Sequence, residues 1–401
     1  MRMTKKLLQI NVTANWGSTG RIAEDIGKLA IAEGWESWIA YGRGNPKSES
    51  NLVRIGNDWD MRWHGLESRL LDNHGLASRR VTRKFIEDIK KISPDIIHLH
   101  NIHGYYLNYP ILFDFLKEWG GPVLWTLHDC WPFTGHCAYY DYSRCDRWKT
   151  ACHHCPQLRA YPASIGLDRS QKNYKDKKTA FLDCPDLTFI PVSDWLKKEL
   201  SKSFLHDYPA ITIHNGIDTD IFHPIEQKEI KSDKKVVLGI ASVWDRRKGL
   251  DEFVKLREKL PENYLIILVG LSQDQISTLP NGITGIRRTE NIGQLVGLYC
   301  MADVFVNPTL EDNFPTTNLE ALACGTPVIT YATGGSPEAI DDKTGFVVEY
   351  QNVDMLAEKV IEICERFPFS ALDCRDRALR LYNKRDVFKQ YIQLYKSLLN
   401  S

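Results

Sequence analysis

No apolar run in the 401-residue sequence approaches the roughly 20 residues that span a bilayer as a helix. The opening, MRMTKKLLQINV, is basic and then apolar, but its apolar part is too short for a secretory signal. It reads as a first buried strand, and the expected location is cytoplasmic. Neither sign of charge is in excess: Lys plus Arg and Asp plus Glu number 51 each, which argues against a nucleic-acid partner. Internal repeats and low-complexity tracts are absent, so repeat architectures are set aside. The phosphate-binding fingerprints built on fixed glycine spacings are also missing in complete form. What is present is 43% apolar and 11% aromatic residues in a chain long enough for two domains, each with a sizeable core.

Strand-like apolar runs alternate with helical patterns, the signature of doubly wound α/β domains. In the first half the expected strands are Leu7–Val12, Trp38–Tyr41, Ile96–His100, Val123–Leu127, Leu187–Pro191 and Ile211–His214, with helices at Gly20–Glu33, Ser78–Lys91 and Leu112–Trp119. After Phe222 the polar stretch PIEQKEIKSDKK reads as a linker. The second half continues with strands at Val236–Ala241, Tyr264–Val269, Val304–Val306, Val328–Tyr331 and Phe346–Glu349, and helices at Leu250–Leu260, Gly293–Met301 and Leu319–Cys324. The expected domains are 1–222, carrying a Cys-rich insertion at 130–160, then 223–383, then an amphipathic final helix at 384–401.

The stretch Asn307–Glu338, NPTLEDNFPTTNLEALACGTPVITYATGGSPE, organises the second half. A buried strand delivers a polar loop to a helix that Thr316 or Thr317 can cap and Gly325 can end. Free N–H groups and the dipole at such a helix start attract phosphate. Glu320, about one turn inside, suits a pair of hydroxyls such as those of a ribose. With LEALACGTPVI and GGSPE, this stretch resembles the C-terminal signature of the retaining nucleotide-sugar glycosyltransferases of family 4 (glycosyl transferases group 1), which have the GT-B fold. That fold is α/β, with two Rossmann-like doubly wound domains facing a cleft and a last helix that crosses back to the first domain. The family carries two glutamates with seven residues between them; counting back from Glu320 puts Asp312 at the first position, with Glu311 one residue early.

Other matches run along the chain. NWGSTGRIAEDI places Gly17 and Gly20 at a strand-to-helix turn, where small residues let backbone amides approach a phosphate or sugar. The family's glycine-rich loop lies at this place. In ASVWDRRKGLDEF, Lys248-Gly249 matches the family's diphosphate-binding lysine, but the arginine that family members carry five residues earlier is Val243 here. Arg247 or Arg246 is then the candidate replacement. His98 and His100 share a strand face, and His128-Asp129, in TLHD, ends the next strand. The resemblance gives His128 a hydrogen bond to the donor sugar, with Asp129 to orient it. It gives the leaving diphosphate to Lys248 and Arg247, the ribose to Glu320, and the donor sugar to Asp312 and the loop with Asn313, Thr316 and Thr317.

Cys137, Cys145, Cys152 and Cys155 fall within 19 residues, the last two as a CxxC knuckle. In a cytosolic chain such spacing points to metal before disulfides, and four thiolates satisfy tetrahedral zinc. His136, His153 and His154 are alternative ligands. The resulting expectation is a retaining glycosyltransferase with no cofactor for catalysis and a structural zinc. Its partners are a nucleoside-diphosphate sugar and a glycan or lipid-linked acceptor of surface polysaccharide synthesis. The basic segment SRRVTRKFIEDIKK adds a candidate peripheral contact with the inner membrane face. The alternatives are a non-catalytic sugar-nucleotide-binding protein and another GT-B enzyme such as a sugar-nucleotide epimerase.

Overall fold

The computed structural model describes residues 4–225 and 234–400. Most of the expected linker, PIEQKEIKSDKK, lies outside the described residues. The chain divides into two compact units, Met1–His214 with Phe388–Ser401, and Asn215–Val387.

The first unit holds a six-stranded parallel sheet of β1 (Lys6–Thr13), β2 (Glu36–Arg43), β3 (Asn51–Arg54), β4 (Ile96–Leu99), β5 (Val123–Leu127) and β6 (Leu187–Pro191), in the order β3-β2-β1-β4-β5-β6. Every residue of β4, β5 and β6 is buried, which is why these strands are mostly apolar rather than alternating, with His98, Thr126 and Thr188 the polar exceptions. Burying a Val or Leu of this kind contributes about 1.5–3 kcal/mol. The final helix, Lys384–Leu398, contributes its residues from Phe388 onward to this unit. Its Tyr395 hydroxyl lies 2.6 Å from His98 Nδ1, and Thr126 Oγ1 lies 2.7 Å from His98 Nε2. His98 is thus a satisfied core histidine, and burial pushes its pKa down to about 3.

The second unit repeats the plan with β7 (Lys235–Ile240), β8 (Tyr264–Val269), β9 (Ile283–Ile286), β10 (Val304–Asn307), β11 (Val328–Tyr331) and β12 (Gly345–Val348), in the order β12-β11-β10-β7-β8-β9. Renumbered from its own first strand, this is the same order as in the first unit, and it is that of Rossmann folds.

The expected strand Ile211–His214 does not form: the sheet beyond β6 is extended only by a bridge between Phe189 and Ala210. Edge strand β3 and the helix Asp58–Leu71 were not expected from the sequence. That helix turns Trp59, Trp63, Leu66 and Leu70 toward solvent, so no buried apolar stripe marks it.

Candidate active site

In the second unit the strand order reverses between β7 and β10. Open parallel sheets leave a crevice at such a point, beyond the carboxyl ends of the strands. β7 leads to a 3-10 turn, Arg246–Lys248, where the Asp245 carboxylate accepts the Lys248 N–H at 3.1 Å. β10 leads through a loop to the helix Thr316–Ala323. The two loops are joined by their backbones. Leu310 N–H donates to the Arg247 carbonyl at 2.7 Å, Arg247 Nη1 donates to the Glu311 carbonyl at 3.2 Å, and the Thr309 hydroxyl lies within 3.3 Å of both carbonyls. Across this seam the Lys248 ammonium pairs with the Asp312 carboxylate. Glycine at 249 is required twice over: φ is +79°, and a Cβ would stand 2.3 Å from the Pro308 carbonyl oxygen.

Asp312 Oδ1 also accepts the Asn313 N–H at 2.9 Å. The first glycine of GGSPE holds this loop closely, because a Cβ on Gly334 would lie 1.8 Å from the Asp312 carbonyl oxygen. Behind the loop, Asn307 Nδ2 donates to Asn318 Oδ1 at 2.8 Å and Asn318 Nδ2 to Ser336 Oγ at 3.0 Å. The Ser336 and Thr330 hydroxyls lie 2.6 Å apart, and Thr330 returns to the Asn307 carbonyl at 3.0 Å. All four side chains are buried, and the ring of hydrogen bonds satisfies them while fixing the loop. Glu320 is partly exposed and accepts the Tyr299 hydroxyl at 2.7 Å. Burial, then the Glu320 charge, pushes the Tyr299 pKa well up, so the phenol stays a donor. The expected threonine cap is not made: Pro315 is the N-cap, Thr316 and Thr317 lie inside the first turn, and no side chain caps the helix. Val243 is exposed, and Arg247 occupies the seam between the loops.

The first unit has its own reversal between β1 and β4. The helix after β1 starts at Gly17 rather than Gly20, and its N-cap, Trp16, makes no side-chain cap bond. Gly17 sits at φ +68° in open space, whereas a Cβ on Gly20 would meet Thr13 Oγ1 at 2.6 Å. Beside this turn Gln9 Oε1, His100 and His128 form a chain, with contacts of 3.1 Å to His100 Nε2 and 3.2 Å between His100 Nδ1 and His128 Nε2. Burial pushes His128 down to about 4 against the pull of Asp129, which makes it a neutral hydrogen-bonding imidazole near neutral pH. The expectation that Asp129 orients His128 is corrected. Asp129 bonds His103 Nε2 at 2.8 Å and the Trp131 N–H at 2.9 Å, and the ring stacked on His128 is that of His100. Burial alone would raise the Asp129 pKa, but its bonds to His103 and Trp131 hold it below the usual carboxylate range.

The family description Glycosyltransferase Family 4 matches residues 19–221, and Glycosyl transferases group 1 matches residues 234–366. The chain belongs to glycosyltransferase family 4. This glycosyltransferase is 25% identical over 410 residues to WcaC of Escherichia coli K12, named as a colanic acid biosynthesis glycosyl transferase, covering 98% of this chain and all of that one. Among solved structures, sucrose-phosphate synthase from Thermosynechococcus elongatus superposes with a TM-score of 0.73 at 19% identity, covering 99% of both chains. Anabaena HepE in complex with UDP and glucose superposes at 0.68 and 14% identity, over 98% of this chain and all of that one. The two six-stranded sheets are those of the GT-B fold. Among the described residues no helix is long and apolar enough to cross a membrane.

The enzyme's cysteine segment lies in the first unit, between β5 and the helix Ser170–Phe181. Cys137, Cys145, Cys152 and Cys155 line one small cavity, and none is in a disulfide. Their sulfurs are not at the separation of ligands to a single ion: among the described residues, no three ligand atoms of this cluster lie within 4.8 Å of one another. Cys137 and Cys155 share a thiol–thiol hydrogen bond. It pushes Cys137 well up, helped by burial, and brings Cys155 down to about 7. Two residues of the candidate site had no signal of their own in the sequence. Tyr299 meets Glu320 only through folding, and His103 reaches Asp129 across two strand ends.

Proposed function

We propose that this enzyme is a retaining, metal-independent glycosyltransferase that moves a sugar from a nucleoside-diphosphate sugar to a glycan or lipid-linked acceptor of surface polysaccharide synthesis. The observation that carries the reading is the meeting, at the β7/β10 reversal, of the Lys248–Asp312 pair, Arg247 and a helix start without a side-chain cap. Cations, backbone N–H groups and a helix dipole together suit a departing diphosphate. In this reading Glu320, backed by Tyr299, accepts the ribose hydroxyls, and Asp312 and Asn313 hold the donor sugar. In the first unit, neutral His128 is a hydrogen-bond partner for a sugar hydroxyl, and the turn at Gly17 and Gly20 supplies close backbone approach. The acceptor hydroxyl attacks the anomeric carbon on the face that the phosphate leaves. The carbon–phosphate oxygen bond breaks as the new glycosidic bond forms, and the departing phosphate oxygen takes the acceptor's proton. No covalent nucleophile takes part.

The relatives support the donor and pathway class: HepE is seen with UDP and glucose, and WcaC is named for colanic acid synthesis. A membrane-side location fits the exposed Trp59 and Trp63 and the basic helix Arg79–Ile92, both features suited to an anionic lipid surface. The test is nucleotide release from a panel of donors, with and without acceptor and with no added divalent metal, followed by NMR of the product anomer. Release in a Glu320→Ala variant is expected to be abolished while its melting transition stays intact. Binding of donor without any release marks a non-catalytic binding protein. Conversion of the sugar without an acceptor marks an epimerase.

A further inference from the structure

The cysteine segment takes no part in the chemistry above, yet it is built around a cavity. That cavity has a free volume of about 10 Å³, bordered by Cys137, Cys145, Cys152 and Cys155 with His136 and Trp148. A space of that size holds one water-sized sphere and no organic ligand. Two buried polar atoms on its wall have no hydrogen-bond partner, His136 Nε2 and Trp148 Nε1. His136 is 2% exposed and Trp148 1% exposed, so water does not satisfy them from outside. Leaving a buried donor or acceptor unsatisfied is costly. His136 is held from behind, with Nδ1 2.5 Å from the Asp72 carboxylate, the arrangement by which a carboxylate orients an imidazole at a metal. The Cys152 sulfur already accepts the Gly135 N–H at 3.2 Å.

We infer that this cavity is the seat of one structural zinc-class ion, bound by the thiolates of Cys137, Cys145, Cys152 and Cys155. Metal-bound thiolates give the Trp148 N–H an acceptor, and the orphaned His136 Nε2 is the nitrogen that can replace one of them on the ion. The buried Lys177 nitrogen ties down the chain beside the cluster. It donates to the Trp131 and Thr134 carbonyls at 2.6 and 3.0 Å, on the same short stretch as Gly135 and His136. The ion also explains why the segment exists at all. Between β5 and Ser170 there are two 3-10 turns and neither strand nor α-helix, a length of irregular chain that needs its own staple. Zinc–sulfur bonds of about 2.3 Å place four tetrahedral sulfurs about 3.8 Å apart. Binding therefore draws further sulfurs toward a cluster in which, among the described residues, no three ligand atoms lie within 4.8 Å of one another. Cys137 and Cys155, already in contact, form the fixed corner, and Cys145 is carried in on its turn. Each thiol that binds releases a proton to solvent.

Protein purified without added zinc is the material for the test. Elemental analysis is expected to give about one zinc per chain, and the Cys152→Ser/Cys155→Ser double variant to lose it. A Cys184→Ser variant, whose thiol lies outside the cavity, keeps it. Because the double variant can fail to fold, wild-type protein is also titrated with a mercurial thiol reagent in the presence of a chromophoric chelator. Zinc release in step with modification of four thiols supports the site. So does an intense thiolate-to-cobalt charge-transfer band after exchange with cobalt. Metal-free, well-folded protein with these four thiols free, or a Cys137–Cys155 disulfide in the peptide map, overturns the proposal.

Discussion

Lys248 is the residue whose removal tests the site most directly. Its ammonium pairs with Asp312, and the two side chains are 23% and 13% exposed, so water screens the pair only in part. At an effective dielectric of about 20, one unit charge about 4 Å from the ammonium feels roughly 4 kcal/mol. A diphosphate must share Lys248 with Asp312, so the net interaction is smaller than that. Loss of one preorganised donor at a developing charge typically costs about 2.7–4 kcal/mol, or about 10²–10³ in turnover. For Lys248→Met, which keeps the apolar stem, turnover is expected to fall about 100-fold. Nucleoside-diphosphate affinity falls with it, because the same cation meets the ground-state diphosphate. Stability changes by about 1 kcal/mol or less, since Asp312 keeps its bond from Asn313 and the loops keep their backbone seam. The assay is steady-state kinetics on the preferred donor, calorimetric titration with UDP and GDP, and a thermal melt of each protein. A folded variant that binds both nucleotides as wild type does and turns over within threefold of it would remove the diphosphate role from Lys248.

The neighbouring carboxylates separate cleanly. Asp312→Asn is expected to lower transfer at least tenfold while Glu311→Gln spares it, because Asp312 is the carboxylate paired with Lys248; the opposite ranking in kinetic assays shifts the family register by one residue. Acid should destabilise the first unit. Burial holds His64 at about 4, His98 at about 3 and His128 at about 4, against an ordinary value of 6.5. As pH falls below about 6.5 the unfolded chain takes up protons that the folded chain refuses, so stability present above that pH is lost toward pH 4. Urea midpoints are expected to drop between pH 7.5 and 5 in dilute buffer, and a flat or rising midpoint refutes the assignment.

How far the fold can be read from residues depends on burial. Val123–Leu127, Leu187–Pro191, Tyr264–Val269 and Val328–Tyr331 were read to the residue, because a strand covered on both faces is a short, mostly apolar run. Ile211–His214 has the same look locally, yet only Ala210 finds a partner strand, and pairing is not a local property. The loop at Asp312 was legible through its spacing to Glu320, and Gly334 through its motif. The cap was not, because Pro315 holds the N-cap position that the threonines seemed suited for. Asp129 was assigned to its sequence neighbour, but two carboxylate oxygens go where geometry offers donors, and those are His103 and Trp131. Contacts such as Tyr299 with Glu320 exist only once β10 and its flanking helices have packed.

The closing residues of the chain belong to the core of its opening half. His98, fully buried in β4, has its Nδ1 partner on Tyr395, and Trp35 packs its ring 5.9 Å from that of Tyr395. During synthesis this places a ceiling on what the emerging N-terminal half can achieve. Until the ribosome has released the last helix, one nitrogen of that imidazole, Nδ1, is left without its partner and a stretch of the sheet without its cover. The half-made enzyme therefore presents an open apolar face for as long as the second unit takes to be translated, and that is the window in which a chaperone has something to hold.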